Sequence, residues 1–131
     1  NATYIYSETR MSEKEQNRVA NIERPMVGQS PYVINASAFY SMPDWRTDFS
    51  VSYNTFGERI VTVGKSAQRH DEYEQPFHDL GIKIDHSAGR FDLSLEVDNL
   101  LNDARKYTLG DVTTFKYKPG VNFKLGVTLS L

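Results

Sequence analysis

The sequence predicts an all-β fold built as an antiparallel up-and-down meander, and three observations predict it. Apolar and polar residues alternate over long runs. Turn-forming residues separate those runs. No stretch of ten or more residues carries a helical stripe.

The elements follow in chain order. Ala2–Ser7 is a weak strand, Glu8–Gln16 a charged loop tip, and Asn17–Arg24 a second weak strand. Val33 to Met42 alternates imperfectly, because Val33 and Phe39 fall on the face opposite Ile34, Ala36, Ala38 and Tyr40. Met42-Pro43-Asp44-Trp45 reads as a turn with Pro at its second position. Phe49, Val51 and Tyr53 then oppose Asp48, Ser50, Ser52 and Asn54. Lys65–Gln75 is a polar linker carrying Arg69, His70, Asp71 and Glu72. Leu80, Ile82 and Ile84 oppose Asp79, Gly81, Lys83 and Asp85. Ser87-Ala88-Gly89-Arg90 suits a tight hairpin, leading into Phe91, Leu93, Leu95 and Val97 against Asp92, Ser94, Glu96 and Asp98. Thr113–Lys118 is a weaker strand, and Pro119-Gly120 breaks the chain before the last one. From Val121 to Leu131 every odd position is apolar and every even one polar or Gly. The count is six to eight strands.

Composition narrows the function. A formal charge of −2 offers no basic field for nucleic acid. With no cysteine, disulfides and thiolate metal sites are excluded. No apolar run is long enough for a transmembrane helix, and no N-terminal signal peptide is visible. The chain begins abruptly in a strand-like run at Asn1, which reads as a fragment boundary.

Alternation suits a sheet in water or a sheet in lipid. The last strand, eleven residues long, has the length of a spanning strand, about 9–11 residues at a tilt near 45°. The charges of Asp79, Lys83, Asp85, Asp92, Glu96 and Asp98 cannot face a dry core, because an unpaired buried charge costs several kcal/mol or more. They suit bulk water or a polar lumen. Tyr40, Tyr53, Phe56, Tyr107, Phe115, Tyr117 and Phe123 sit near strand ends, as interfacial girdles would. On pattern alone, a membrane barrel and a soluble all-β domain binding carbohydrate or protein through exposed aromatics stand level.

Five ordered blocks, from about Arg24 to the end, resemble the late barrel of TonB-dependent outer-membrane receptors. They are Arg24-Pro25-Met26-Val27-Gly28-Gln29-Ser30-Pro31-Tyr32-Val33-Ile34-Asn35, then Tyr53-Asn54-Thr55-Phe56-Gly57-Glu58-Arg59-Ile60 with Val63-Gly64, then Tyr73-Glu74-Gln75-Pro76-Phe77-His78-Asp79-Leu80. Val97-Asp98-Asn99-Leu100-Leu101-Asn102 and Tyr117-Lys118-Pro119-Gly120 complete the set. One departure is Leu131, where such proteins usually end in an aromatic residue read by the barrel-assembly machinery.

The resemblance implies that residues 1–131 are the C-terminal part of one barrel domain in the bacterial cell outer membrane, supplying about the last six of 22 strands. It implies uptake of a scarce ligand such as an iron chelate, cobalamin or a glycan. The partners implied are the rest of the barrel and its plug, outer-membrane lipid, and the assembly machinery through Val121–Leu131. TonB is reached only through N-terminal segments outside these residues. With the C-terminus periplasmic, Pro119-Gly120 is expected to be extracellular and Asn99–Asn102 a periplasmic turn. Ala88-Gly89 and Pro43–Arg46 are then expected to be extracellular and Lys65–Gln75 periplasmic.

No catalytic, cofactor or metal site is expected. His78 and His86 share a strand face but lie roughly 26 Å apart at about 3.3 Å per residue, and read with His70 as loop and interface residues. Asp92, Glu96 and Asp98 share one face, on which neighbouring residues stand about 6.6 Å apart, a spacing open to acid/base chemistry, but nothing in the sequence supplies a cleft. Ser30, Ser37, Ser50 and Ser52 lack a nucleophile elbow, and Gly110, Gly120 and Gly126 form no phosphate loop. Trp45 reads as an interface anchor or a ligand-stacking residue. The expected extracellular ligand contacts are Trp45, Arg46, Arg90, Lys116 and Lys118.

Overall fold

The computed structural model describes residues 1–10, 23–64 and 70–130. These residues form an all-β structure of antiparallel sheets. The alternating segments become β4 (Tyr32–Met42), β5 (Thr47–Phe56), β8 (His78–Ala88), β9 (Phe91–Asp98) and β12 (Asn122–Leu129). With β1 (Ala2–Tyr4) they make one six-stranded sheet in the order β1-β4-β5-β8-β9-β12. The sheet is open, and β1 and β12 are its edges.

Register sorts the side chains. Val51, Ile82, Val97 and Phe123 lie in one pairing row, and Phe49, Ile84, Leu95 and Leu125 in the next. Directly paired residues share a face, so these rows make one continuous apolar surface. Ser50, Lys83, Glu96 and Lys124 form the corresponding row on the opposite face. Among the described residues no second layer covers the apolar face: Leu125 is 76% exposed, and Leu93 and Leu95 are each 39% exposed. The chain exposes 9332 Å², whereas a self-contained globule of 15.0 kDa exposes about 7000 Å².

The connections alternate in length. Short ones, 43–46 and 89–90, join β4 to β5 and β8 to β9 at one end of the sheet, where β12 also finishes. Pro43–Trp45 is a single 3-10 turn closed by Arg46 in the left-handed region (φ 47°). Gly89 takes φ 66° in the two-residue turn between the paired Ala88 and Phe91, a conformation a Cβ disfavours. The long connections, 5–31, 57–77 and 99–121, all start and finish at the other end.

This alternation corrects the expected sidedness. Asn99–Asn102 and Pro119-Gly120 belong to one end, because the chain between them is a returning hairpin, β10 (Arg105–Leu109) and β11 (Val112–Tyr117), and not a spanning pair. Pro43–Arg46 and Ala88-Gly89 share the end reached by residue 129, opposite to Pro119-Gly120. The described part of Lys65–Gln75 lies at the long-connection end.

The long connections fold onto one another. β6 (Arg59–Thr62) and β7 (Glu72–Glu74) join β10 and β11 in a four-stranded sheet, order β11-β10-β7-β6. In the 5–31 connection, β2 (Thr9–Arg10) pairs with β3 (Glu23–Arg24). Residues 11–22 of the Glu8–Gln16 loop and the Asn17–Arg24 strand, and residues 65–69 of the linker, lie outside the described residues. So does Leu131, whose departure from the aromatic terminus is therefore a matter of sequence alone. Among the described residues, the buried hydrophobics are Ile60, Phe77 and Ala104, all in these connections. The described core thus sits at one end of the long sheet and not on its apolar face.

Candidate functional site

The loop end is held by polar side chains that backbone geometry places inside it. Glu74 is 3% exposed and lies beside Arg59 and Tyr107 in the ladder. Arg59 Nε donates to Glu74 Oε2 at 2.8 Å, and Arg105 Nη1 donates to Oε1 at 3.0 Å. The Arg59 guanidinium lies 4.5 Å from the Phe56 ring centroid, and that of Arg105 lies 4.5 Å from the Phe77 centroid. One carboxylate thus orders two cations that each rest on an aromatic face. Close by, Arg24 donates to Asp71 at 3.2 Å, and Asp71 also accepts the Gly64 amide at 2.8 Å, linking the 5–31 and 57–77 connections.

A second cluster closes the 99–121 connection. Asn99 (φ 52°) accepts at its own amide oxygen from the Asp103 N–H and donates Nδ2 to the carbonyls of Asp103 and Gly120. Asp79 accepts the Asn99 N–H, and Asp103 accepts the N–H groups of His78 and Ala104. Burial works to raise the Asp103 carboxyl pKa. The amides of His78 and Ala104, helped by the charges of His78 and Lys106, outweigh it and hold the group below its ordinary value.

Below these clusters the polar face opens into a shallow depression lined in part by Asn35, Asn54, Asp79, Phe77 and Arg105. The acidic row continues down the sheet as ion pairs. Lys124 meets Glu96 at 2.7 Å and Asp98 at 2.9 Å, and Lys83 meets Asp85 at 2.7 Å. Asp92 accepts the Ser87 hydroxyl at 2.6 Å. Close packing shapes the rim as well: a Cβ on Gly57 would stand 2.8 Å from the Tyr32 ring.

The expected ligand contacts do not converge. Trp45 (71% exposed), Arg46 and Arg90 lie at the short-turn end, whereas Lys116 and Lys118 lie at the long-connection end. They cannot line one ligand site. The aromatic residues divide too. On the apolar face, Tyr40 and Phe123 sit near strand ends, and Tyr53 near the loop end of β5. Phe56 points to the opposite face, and Tyr107, Phe115 and Tyr117 belong to the four-stranded sheet on the Glu74 side. His78 and His86 both fall on the apolar face at opposite ends of β8. His78 Nδ1 is 2.7 Å from the Tyr53 hydroxyl, and His86 Nδ1 is 2.8 Å from that of Thr47. No group of three His, Cys, Asp or Glu side chains suited to a metal occurs among the described residues.

Arg59, Glu74, Arg105, Asn99 and Asp103 are the functional candidates that pattern reading passes over. A charge close to an aromatic residue, as in Tyr73-Glu74 and Phe56-Gly57-Glu58-Arg59, is the sequence trace of Glu74 and Arg59 alone. Comparison of the chain with protein-family models, with curated proteins and with solved structures finds no match.

Proposed function

We propose that this chain is the C-terminal wall of an outer-membrane TonB-dependent receptor, a transporter that takes up a scarce ligand, and that it closes the barrel and carries no chemistry of its own. The observation that supports this most is the two-faced long sheet. One face is a continuous apolar surface that nothing among the described residues covers. The other carries Asp48, Asp79, Asp85, Asp92, Glu96 and Asp98 with Lys83 and Lys124. Hydrocarbon outside and a wet lumen inside accommodate both.

Dimensions agree with this reading. An eleven-residue strand such as β8 runs about 36 Å at about 3.3 Å per residue, or about 26 Å of height when tilted near 45°, against an apolar band of about 25 Å. Short turns at one end and long connections at the other are the barrel habit, with the short turns periplasmic. That makes the Glu74 and Asn99 clusters extracellular and turns the depression near Arg105 toward the lumen. The free edges of β1 and β12 then pair with strands of the same barrel, the charged face meets the plug, and the last strand is presented to the assembly machinery.

Membrane extraction tests the reading. Produced in a Gram-negative host with the rest of its polypeptide, the protein is expected in the outer membrane after carbonate washing, and monomeric only in detergent. A monomeric, cooperatively folded chain in plain buffer contradicts it and favours a soluble β-domain.

A further inference from the structure

We propose that the outward face of the β10–β11 hairpin binds the phosphates of anionic lipid in the outer leaflet, with Lys106 and Lys116 as the paired cations. The inference rests on the barrel reading and adds a lipid site to it.

Register places the two lysines directly opposite each other in the ladder. Like charges in that arrangement repel, and both residues are exposed. Among the described residues neither ammonium meets a carboxylate as an ion pair. Strand parity gives their side. Arg105, Tyr107 and Glu74 occupy one face of the four-stranded sheet, and Lys106, Lys116, Thr108 and Tyr73 the other. Arg105 lines a depression with Asn35, Asn54 and Asp79, all on the charged face of the long sheet. Tyr73 instead shares a cavity with Tyr4, which pairs with Tyr32 on the apolar face. The lysines therefore look outward, on the lipid side, just beyond the rim marked by Phe123.

The paired strand residues on that outward face include no acid: they are Ile60, Tyr73, Lys106, Thr108, Thr113 and Lys116. Of the neighbouring loop acids, Glu58 accepts from Gln75, Asp103 accepts the His78 and Ala104 amides and feels the Lys106 charge without forming an ion pair with it, and Asp111 belongs to the hairpin tip. Lys118, two residues past Lys116, adds a third exposed cation. Two adjacent ammonium groups above a hydrocarbon belt match the phosphates of a lipid such as lipid A, and a point charge on a flexible stem suits a mobile headgroup.

The test uses the full polypeptide folded into nanodiscs of phosphatidylcholine with and without lipid A, with retained lipid read by native mass spectrometry. Wild-type protein is expected to retain lipid A over phosphatidylcholine. The Lys106→Gln/Lys116→Gln variant is expected to lose this preference by about 25-fold, roughly fivefold per lysine. Lys106→Arg/Lys116→Arg keeps it, and Lys124→Gln, on the lumenal face, leaves it unchanged. Inorganic phosphate displacing lipid A as well as added lipid A does would make the site one for a free anion and overturn the proposal. Protein that inserts into both membranes but holds lipid A no better than phosphatidylcholine also overturns it and leaves the barrel reading standing. Protein that inserts into neither overturns both.

Discussion

The side-chain amide of Asn99 donates to the backbone carbonyl of Gly120 at 2.8 Å, across 21 positions of sequence. This bond pins the start of the 99–121 connection to its finish, so β9 and β12 pair directly and the hairpin between them projects beyond the sheet. Asn99→Ala removes both Nδ2 donations, leaves the Asp103 N–H without its acceptor, and puts a Cβ-bearing residue without a local hydrogen bond at φ 52°. The expected cost is about 3 kcal/mol in urea unfolding of the detergent-folded protein, with faster proteolysis between residues 100 and 119.

Glu74 is the joint of the four-stranded sheet. Replacing it with Ala leaves Arg59 and Arg105 without their shared carboxylate. Their side chains are 34% and 40% exposed and recover some hydration, so the loss stays below that of a fully buried pair. The expected destabilisation is about 2 kcal/mol, with Glu74→Gln intermediate, measured by the same unfolding assay.

Leu95 and Ser94 are neighbours on β9 that face opposite ways. If the apolar face meets lipid, as proposed, an arginine at Leu95 is expected to cost about 2–4 kcal/mol of folding free energy in lipid vesicles, while Ser94→Arg costs under about 1 kcal/mol. Equal effects at the two sites, or better folding with Leu95→Arg, contradict a lipid-facing apolar surface.

Asp103 sets an acid limit on the loop end. Its folded pKa lies below its unfolded one, so the ionised form favours the fold. The contribution is full above the ordinary carboxylate value near 4 and is lost as pH falls through the folded value. Asp103→Asn is expected to be less stable at neutral pH yet to show a shallower acid limb below about pH 4, followed by hydrogen exchange at the His78 and Ala104 amides.

The long strands were legible because period-2 alternation states which residues share a face. Val121–Leu131 encloses β12 (Asn122–Leu129), and Val33 and Phe39 do fall opposite Ile34 and Tyr40. The short strands β6, β7 and β10 were not legible. Their partners lie far along the chain, as Tyr107 does from Glu74, and three to five residues are too few to show a period. Sidedness failed for the same reason. Thr113–Lys118 looks like any strand, and only its pairing with Arg105–Leu109 shows a hairpin that returns to its own end. The Glu74 cluster joins two connections and the Asn99 cluster joins one connection to β8, so the aromatic beside a charge hints at Glu74 and Arg59 but does not show which residues meet.

The sequence has no cysteine, so single cysteines along β9 and β12 can each carry a nitroxide free of background. The most direct test of the central claim is the accessibility of labels at Leu93, Ser94, Leu95, Glu96, Leu125 and Gly126 in lipid bilayers, to oxygen and to a water-soluble nickel chelate. A lipid-facing apolar surface predicts high oxygen accessibility at 93, 95 and 125, high nickel accessibility at 94, 96 and 126, and opposite phases for the two quenchers. Labels at 93, 95 and 125 shielded from both quenchers, as in a water-soluble sandwich, contradict the account.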